Sequence, residues 1–361
     1  MKKVLIVVPH LRTGGGQKVA LDVAIYMKNP NVNVQLLSLY SNENTIFDQL
    51  AHSNNIKVKY LKKKSGMDLG VITEIWKELR KFKPDVVHAH LRVLPYLILP
   101  MIYEKVPKRF YTVHNLAHKD ASGFMRMLLK FSFHFARVTP VAISDLCKKS
   151  ISQVYSLPEE KIPCIYNGID VESYSNNQDE KNDKNGTFVL IATGRFYHQK
   201  NHLLMIDAFK EIHNKIPNTQ LVLLGDGEIR SELQERVRSY NLETSVIFKG
   251  LVSNVAEELG KSDIYIMSSN WEGLPLSVLE AMAAGLPIVS TKAGGVIDVI
   301  EDDVNGYLVD IGDKEGLVNS VLKLIHSPQK LVEMASNSKK MARKYDVSVC
   351  VKGHEELYLH S

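Results

Sequence analysis

Runs of five to eight mostly apolar residues recur along this chain, spaced widely enough for a helix between them. KKVLIVVP (2–9) opens the series. VNVQLLSL (32–39), IKVKYL (56–61), DVVHAH (85–90), RFYTVH (109–114) and PVAIS (140–144) continue it. Segments of helical period separate most of them, one near Gln17–Met27 and another at GVITEIWKELRKF (70–82). An unbroken apolar run reads as a strand covered on both faces. Strands alternating with helices build a parallel sheet with helices on both sides. The pattern therefore predicts a doubly wound α/β fold.

The alternation stops once. SYSNNQDEKNDKNG (173–186) is almost wholly polar and reads as an exposed linker. It then restarts with TFVLIATG (187–194), QLVLLGDG (220–227), SVIFKG (245–250), DIYIMSS (263–269), PIVST (287–291) and NGYLVD (305–310). A chain of 361 residues exceeds what one core usually serves. We expect two Rossmann-like domains, 1–167 and 168–345, facing each other across a cleft. The carboxyl ends of both sheets would then surround one ligand site.

Composition removes several classes. Apolar residues make up 45% and charged residues 24%, which excludes a disordered or fibrous chain. Cys147, Cys164 and Cys350 are widely spaced and odd in number, so neither a disulfide framework nor a metal-type pair is indicated, and a reducing compartment fits. The apolar run of MKKVLIVVPH stops at Pro9, short of a signal-peptide core. VLPYLILPMIY (93–103) is too short to span a bilayer and contains two prolines.

Charge divides the halves. Residues 1–168 hold 25 Lys and Arg against 12 Asp and Glu, and the remainder holds 20 against 28. A basic front half meets anions such as lipid head groups, nucleic acid or phosphorylated substrates. No recognisable nucleic-acid module accompanies it.

NWEGLPLSVLE (270–280) carries the sharpest chemistry. It follows a strand end, and Pro275 suits the first turn of a helix that Gly285 closes. The free amides of Leu276 and Ser277 would favour an anion there. Glu272 before the helix and Glu280 on its flank would repel phosphate but accept hydrogen bonds from hydroxyls. A phosphate with a polyol on each side satisfies all of these groups, and a nucleotide sugar has that form. In an arbitrary sequence such glutamates more often decorate a solvated helix.

GRFYHQKN (194–201) supplies a second cluster. Arg195 and Lys200 lie five apart at a strand end and can clamp a diphosphate. LGDGE (224–228) adds another strand-edge turn. In the front half, RTGGGQK (12–18) joins the first strand to the first helix and lets the backbone approach a ligand. It is no nicotinamide fingerprint, because the third glycine would fall at Val19. There is no GxxxxGK[ST] loop either. His88, His90 and His114 end strands, where histidines are more often structural than catalytic. No HExxH, CxxC or DxD spacing indicates a metal.

Together these stretches resemble a retaining glycosyltransferase of family four, with the GT-B fold and of the bacterial surface-polysaccharide type. The matching pieces are the glycine loop at 14–16, His114, YNGID (166–170), GRFYHQKN, LGDGE, EGLPLSVLEAMAAGLPIV (272–289) and AGGVIDVIEDDVNGYLV (293–309). The resemblance implies that Arg195 and Lys200 hold the donor diphosphate. It gives the nucleotide ribose to Glu280 and hydroxyls of the transferred sugar to Glu272. Leu276 and Ser277 would offer amides to the phosphates, Gly15 and Gly16 would approach them from the other domain, and His114 would contact the sugar. Residues 1–167 would bind the acceptor and 168–345 the nucleotide sugar, with a final helix at 346–361 crossing back onto the first domain. Gln17 and Asp298 stand where the family often has acids.

The implied activity is transfer from a nucleotide-diphosphate sugar, with UDP the expected carrier, to a hydroxyl of a lipid-linked or glycan acceptor, without a metal or other cofactor. No carboxylate is left over as a covalent nucleophile, so a front-face path fits, in which the departing diphosphate takes the acceptor proton. The basic half implies an anionic membrane surface on the cytoplasmic side as a partner, with no nucleic acid. KVKYLKKK (57–64), KVPKR (105–109) and GFMRMLLKFSFHFARV (123–138) are the candidate contacts. A nucleotide-sugar epimerase of the same architecture and a non-catalytic nucleotide-sugar-binding protein are the alternatives.

Overall fold

The computed structural model describes residues 1–175 and 186–360. The chain forms two compact units, Met1–Gly168 with Val347–Ser361, and Ile169–Asp346.

The first unit contains β1 (Lys2–Val8), β2 (Val32–Ser38), β3 (Val58–Tyr60), β4 (Val86–His90), β5 (Lys108–Val113) and β6 (Val138–Ala142). They pair in the order β3-β2-β1-β4-β5-β6, all parallel. The second unit contains β7 (Phe188–Thr193), β8 (Thr219–Leu224), β9 (Val246–Gly250), β10 (Ile264–Met267), β11 (Ile288–Thr291) and β12 (Gly306–Val309). Its order is β12-β11-β10-β7-β8-β9, again all parallel. Counted from its own first strand, each sheet has the order 3-2-1-4-5-6. This is the doubly wound arrangement expected from the alternation.

Val4–Val8 of β1 and all of β10 are buried, as strands covered on both faces must be. Each unit has its own core. In the first, Val4, Ile6, Leu21, Leu36, Val86 and Phe110 pack with Val351 and Tyr358 of the closing helix Val347–His360. That helix lies against the helix Gly15–Tyr26 and β1. Lys108 Nζ donates to Tyr358 O at 3.1 Å. In the second unit, Leu190, Ile206, Phe209, Leu221, Ile266 and Val289 form the centre.

Some boundaries differ from the sequence reading. The first helix starts at Gly15 and ends at Tyr26. β6 begins at Val138, ahead of Pro140; it is an edge strand, where a missing N–H is tolerated. Residues 94–103 form a helix with Pro95 in its first turn and Pro100 inside it. Among the described residues no helix is long and apolar enough to cross a membrane. Of the expected polar linker, 173–175 end a short helix, Val171–Ser175, and 176–185 lie outside the described residues.

Candidate functional site

Strand order reverses between β7 and β10, which are neighbours although two strands intervene in sequence. In doubly wound sheets ligands bind at the carboxyl ends of the strands flanking such a switch point. The loop after β7 carries Arg195 and Lys200, and the loop after β10 carries Glu272. Register, with Tyr265 opposite Ile191, brings the two loops out side by side.

Backbone contacts lock these loops together. Gly225 has φ +136°, and a Cβ there would lie 1.9 Å from Gly194 O, so the turns after β7 and β8 touch main chain to main chain. Phe196, fully buried, donates its amide to Asp226 O at 2.9 Å. Asn270 N donates to Gln199 O at 2.8 Å. Ser268 Oγ donates to Asn201 O at 2.8 Å, and Thr291 Oγ1 to Ser269 O at 2.6 Å. Gly294, at φ +62°, runs against Glu272 O, where a Cβ would sit at 1.8 Å.

Within this frame Lys200 Nζ lies 2.7 Å from Glu272 Oε1. Ser269 Oγ donates to the same oxygen at 2.7 Å. Gln199 Nε2 donates to Trp271 O at 2.9 Å and faces Glu272 Oε2 at 3.4 Å. Burial works against the Lys200 ammonium. The charge of Glu272, the Tyr265 phenol, the Glu272 hydrogen bond and Glu280 outweigh it, and the lysine pKa is held above its usual value. The solvated-face reading of Glu272 is thereby replaced, since this side chain is buried and paired.

Arg195 is placed differently. Its side chain is exposed, with the guanidinium 5.3 Å from the centre of the Tyr197 ring. Leu276 and Ser277 open the helix Leu276–Ala283, with Pro275 at its cap and no side-chain cap bond. Their amides precede any intrahelical acceptor, as at every helix start. Glu280 is half-buried on the same helix, and its charge acts on both Lys200 and Tyr265.

In the first unit the switch point lies between β1 and β4. Gly14–Gly16 follow β1, His90 ends β4, and His114 follows the neighbouring β5. Gly15 is exposed at the helix start. Gly16 packs on His114, whose Cδ2 and Cγ would lie 3.2 Å from an added Cβ. Gln17 is buried and its Nε2 meets His10 Nδ1 at 3.3 Å. His114 Nε2 is 3.0 Å from His90 Nδ1.

Behind His90 stand His88, its ring centre 4.3 Å away, and His354 of the closing helix, 5.5 Å from His88. His88 is bonded through Nδ1 to Tyr358 Oη and through Nε2 to Thr112 Oγ1, each at 2.7 Å. Burial, reinforced by neighbouring histidines, drives His88 and His90 well below the ordinary histidine value. Burial and then His354 bring His114 to about 4, and burial brings His354 to about 4. All four rings are neutral near pH 7. Among the described residues, no group of three or more His, Cys, Asp or Glu side chains could hold a metal ion.

The structure thus joins Lys200 to Glu272 and Gly16 to His114. It places Arg195 in the Lys200 loop and puts Leu276, Ser277 and Glu280 on one helix. Sequence reading missed Ser269, Gln199 and Gly294, which hold Glu272, and His354. Ser269, a small polar residue at the end of a buried strand, was the findable one. Gly294 and His354 gave no local sign, because their partners are distant in sequence.

Two family models match the chain. Glycosyltransferase Family 4 covers residues 13–173, and Glycosyl transferases group 1 covers 174–341. The UDP-Gal:alpha-D-GlcNAc-diphosphoundecaprenol alpha-1,3-galactosyltransferase of Escherichia coli is 29% identical over 71% of this chain and 70% of its own. The amylovoran biosynthesis glycosyltransferase AmsD of Erwinia amylovora is 27% identical over 91% and 92%. The crystal structure of Anabaena HepE with UDP and glucose superposes over the whole of both chains with a TM-score of 0.88 at 21% identity. That likeness shows a shared GT-B fold. With the two models running in tandem from residue 13 to residue 341, the chain belongs to the group 1, family 4 glycosyltransferases.

Proposed function

We propose that this protein moves a hexose from a UDP-linked donor to a hydroxyl of a lipid-diphosphate-linked or glycan acceptor in polysaccharide assembly, with retention of anomeric configuration. The observation that carries the reading is the Lys200–Glu272 pair at the β7/β10 switch point, set between an exposed arginine and an uncapped helix start. Cations and free amides suit a diphosphate, and carboxylates suit the hydroxyls beside it. The names of the relatives support the donor and acceptor classes. One acts with UDP-Gal on a diphosphoundecaprenol-linked sugar, one serves amylovoran biosynthesis, and HepE was crystallised with UDP.

In this reading Arg195 and Lys200 neutralise the diphosphate, and Leu276 and Ser277 offer it their amides. Glu280 accepts from the ribose. Glu272 accepts from sugar hydroxyls. The bond from the anomeric carbon to the diphosphate oxygen breaks with its electron pair going to the diphosphate. The acceptor oxygen attacks from the same face, and its proton passes to the departing diphosphate. No metal or other cofactor takes part in these steps. The basic first unit is assigned to an anionic membrane surface on the cytoplasmic side.

Arg195→Ala tests the clamp. Removing a group that stabilises developing charge typically costs about 10²–10³-fold in turnover, and an exposed arginine should leave thermal stability almost unchanged. Near-normal turnover in this variant would overturn the assignment. An epimerase would convert the donor sugar without an acceptor, and a binding protein would leave it intact, so donor incubated with and without acceptor separates all three.

A further inference from the structure

The helix Gly123–Phe135 carries an apolar face that its own unit does not cover. Phe124, Met127, Phe131 and Phe135 are 67%, 63%, 49% and 75% exposed. At 3.6 residues per turn they fall within an arc of about 80°, forming a stripe roughly 16 Å long. The Phe131 and Phe135 rings stand 5.4 Å apart. Single exposed apolar residues are ordinary, but four large ones in a row mark a contact surface. Leu129, Ser132 and Phe133 take the core-facing side, so the stripe is not needed to hold the helix down. The helix Leu94–Tyr103, which this helix contacts, also leaves Leu99 and Ile102 exposed.

Charge identifies the occupant. Residues 91–138 contain eight Lys and Arg (Arg92, Lys105, Lys108, Arg109, Lys119, Arg126, Lys130, Arg137) against Glu104 and Asp120. Glu104 is already paired with Arg80, and Asp120 accepts from Tyr111 Oη at 3.1 Å. By helical geometry Lys130 lies about 60° beyond Met127 at the edge of the stripe, and Arg126 lies about 40° further round, beside the core-facing Phe133. Arg126 is held there by bonds from Nε to Ala121 O and Nη2 to His118 O, each 3.1 Å. An apolar stripe edged by Lys130 on a basic unit matches a bilayer surface with anionic head groups. A second copy docked over the same face would set these cations against their own equivalents.

We infer that the Gly123–Phe135 helix seats the protein on an anionic lipid surface, with Phe124, Met127, Phe131 and Phe135 entering the acyl boundary and Lys130 meeting the head groups. This deepens the membrane assignment above by choosing this helix over 57–64 and 105–109. It does not depend on the identity of donor or acceptor.

Co-sedimentation of the full chain with phosphatidylglycerol/phosphatidylcholine vesicles is the test, beside pure phosphatidylcholine. The wild type binds the mixed vesicles and not the neutral ones. Phe124→Ser/Phe131→Ser/Phe135→Ser needs at least about tenfold more lipid for half-binding. Val332→Ser, exposed in the second unit, binds like the wild type. Phe131→Trp, read as fluorescence added over the wild type, is quenched by brominated acyl chains. Retention of binding by the triple variant, absence of quenching at position 131, or equal binding to neutral vesicles overturns the inference. Concentration-dependent dimers without lipid that the triple variant abolishes assign the face to a second copy and also overturn it. Donor turnover with a water-soluble acceptor should survive in the triple variant, so failure of the membrane inference and failure of the proposed reaction remain distinguishable.

Discussion

Lys200 Nζ and Glu272 Oε1 lie 2.7 Å apart, with 19% and 7% of their side chains exposed. Breaking a buried pair by deleting one partner costs about 3–5 kcal/mol, because the other charge stays behind uncompensated. Lys200→Ala should therefore lower the melting midpoint as well as turnover, by roughly 10 °C for a unit of this size. Lys200→Met/Glu272→Gln removes both charges and should recover a substantial part of that loss while staying inactive. Differential scanning calorimetry on the two variants and Arg195→Ala checks this. If Lys200→Ala melts with the wild type, the pair does not organise the site.

Gly294 holds Glu272 from behind. Its φ of +62° is costly for any side chain, and the Cβ of an alanine would collide with Glu272 O at 1.8 Å. That neighbour is backbone and cannot rotate away, so the loop after β10 must shift. Gly294→Ala should cost more than the roughly 1–3 kcal/mol of conformational strain alone, and affinity for the proposed UDP-sugar donor should fall with it. Gly312→Ala is the control. Its φ is +85° but an added Cβ meets nothing within 4 Å, so strain appears there without displacement of Glu272. Urea titration with calorimetric binding separates the two outcomes; equal losses in both variants would remove the special role of Gly294.

The strands were legible because parallel strands buried on both faces announce themselves as unbroken apolar runs, as at Val4–Val8. β6 was placed two residues late, since Pro140 looks like a beginning when it is an interior residue of an edge strand. The helix Leu94–Tyr103 went unassigned because its two prolines obscure an otherwise helical stretch. At the site, spacing exposed Arg195, Lys200, Glu272 and Glu280 as candidates, but not that Lys200 and Glu272 are bonded to each other. That pairing depends on β7 and β10 becoming neighbours, a relation no local pattern contains. The association of His354 with His88 has the same origin, joining the last helix to a strand more than two hundred and fifty residues earlier.

The proposed charge neutralisation by Arg195 and Lys200 makes a prediction about metal. Exhaustive dialysis against EDTA should leave turnover within about twofold, a change of about 0.4 kcal/mol in the barrier. Assays with added Mg²⁺ and Mn²⁺ complete the measurement. A large loss restored by either ion would move the neutralising role from the two side chains to the metal.

The neutral histidines of the first unit set its acid limit. His114 and His354 titrate near 4 in the folded protein, and His88 and His90 also lie well below the ordinary value. Unfolded, each returns to about 6.5. Between those values the unfolded chain binds more protons, so stability falls as pH is lowered through the window from about 6.5 to 4. Above about 6.5 their contribution is complete and flat. Each proton taken up on unfolding adds a slope of about 1.4 kcal/mol per pH unit. His354→Gln, which removes one titrating ring from the cluster, should reduce that slope even if it lowers stability at pH 7. Chemical denaturation at intervals from pH 7.5 to 4.5 gives the slope directly, and an identical pH dependence in wild type and His354→Gln would show that His354 does not titrate on unfolding.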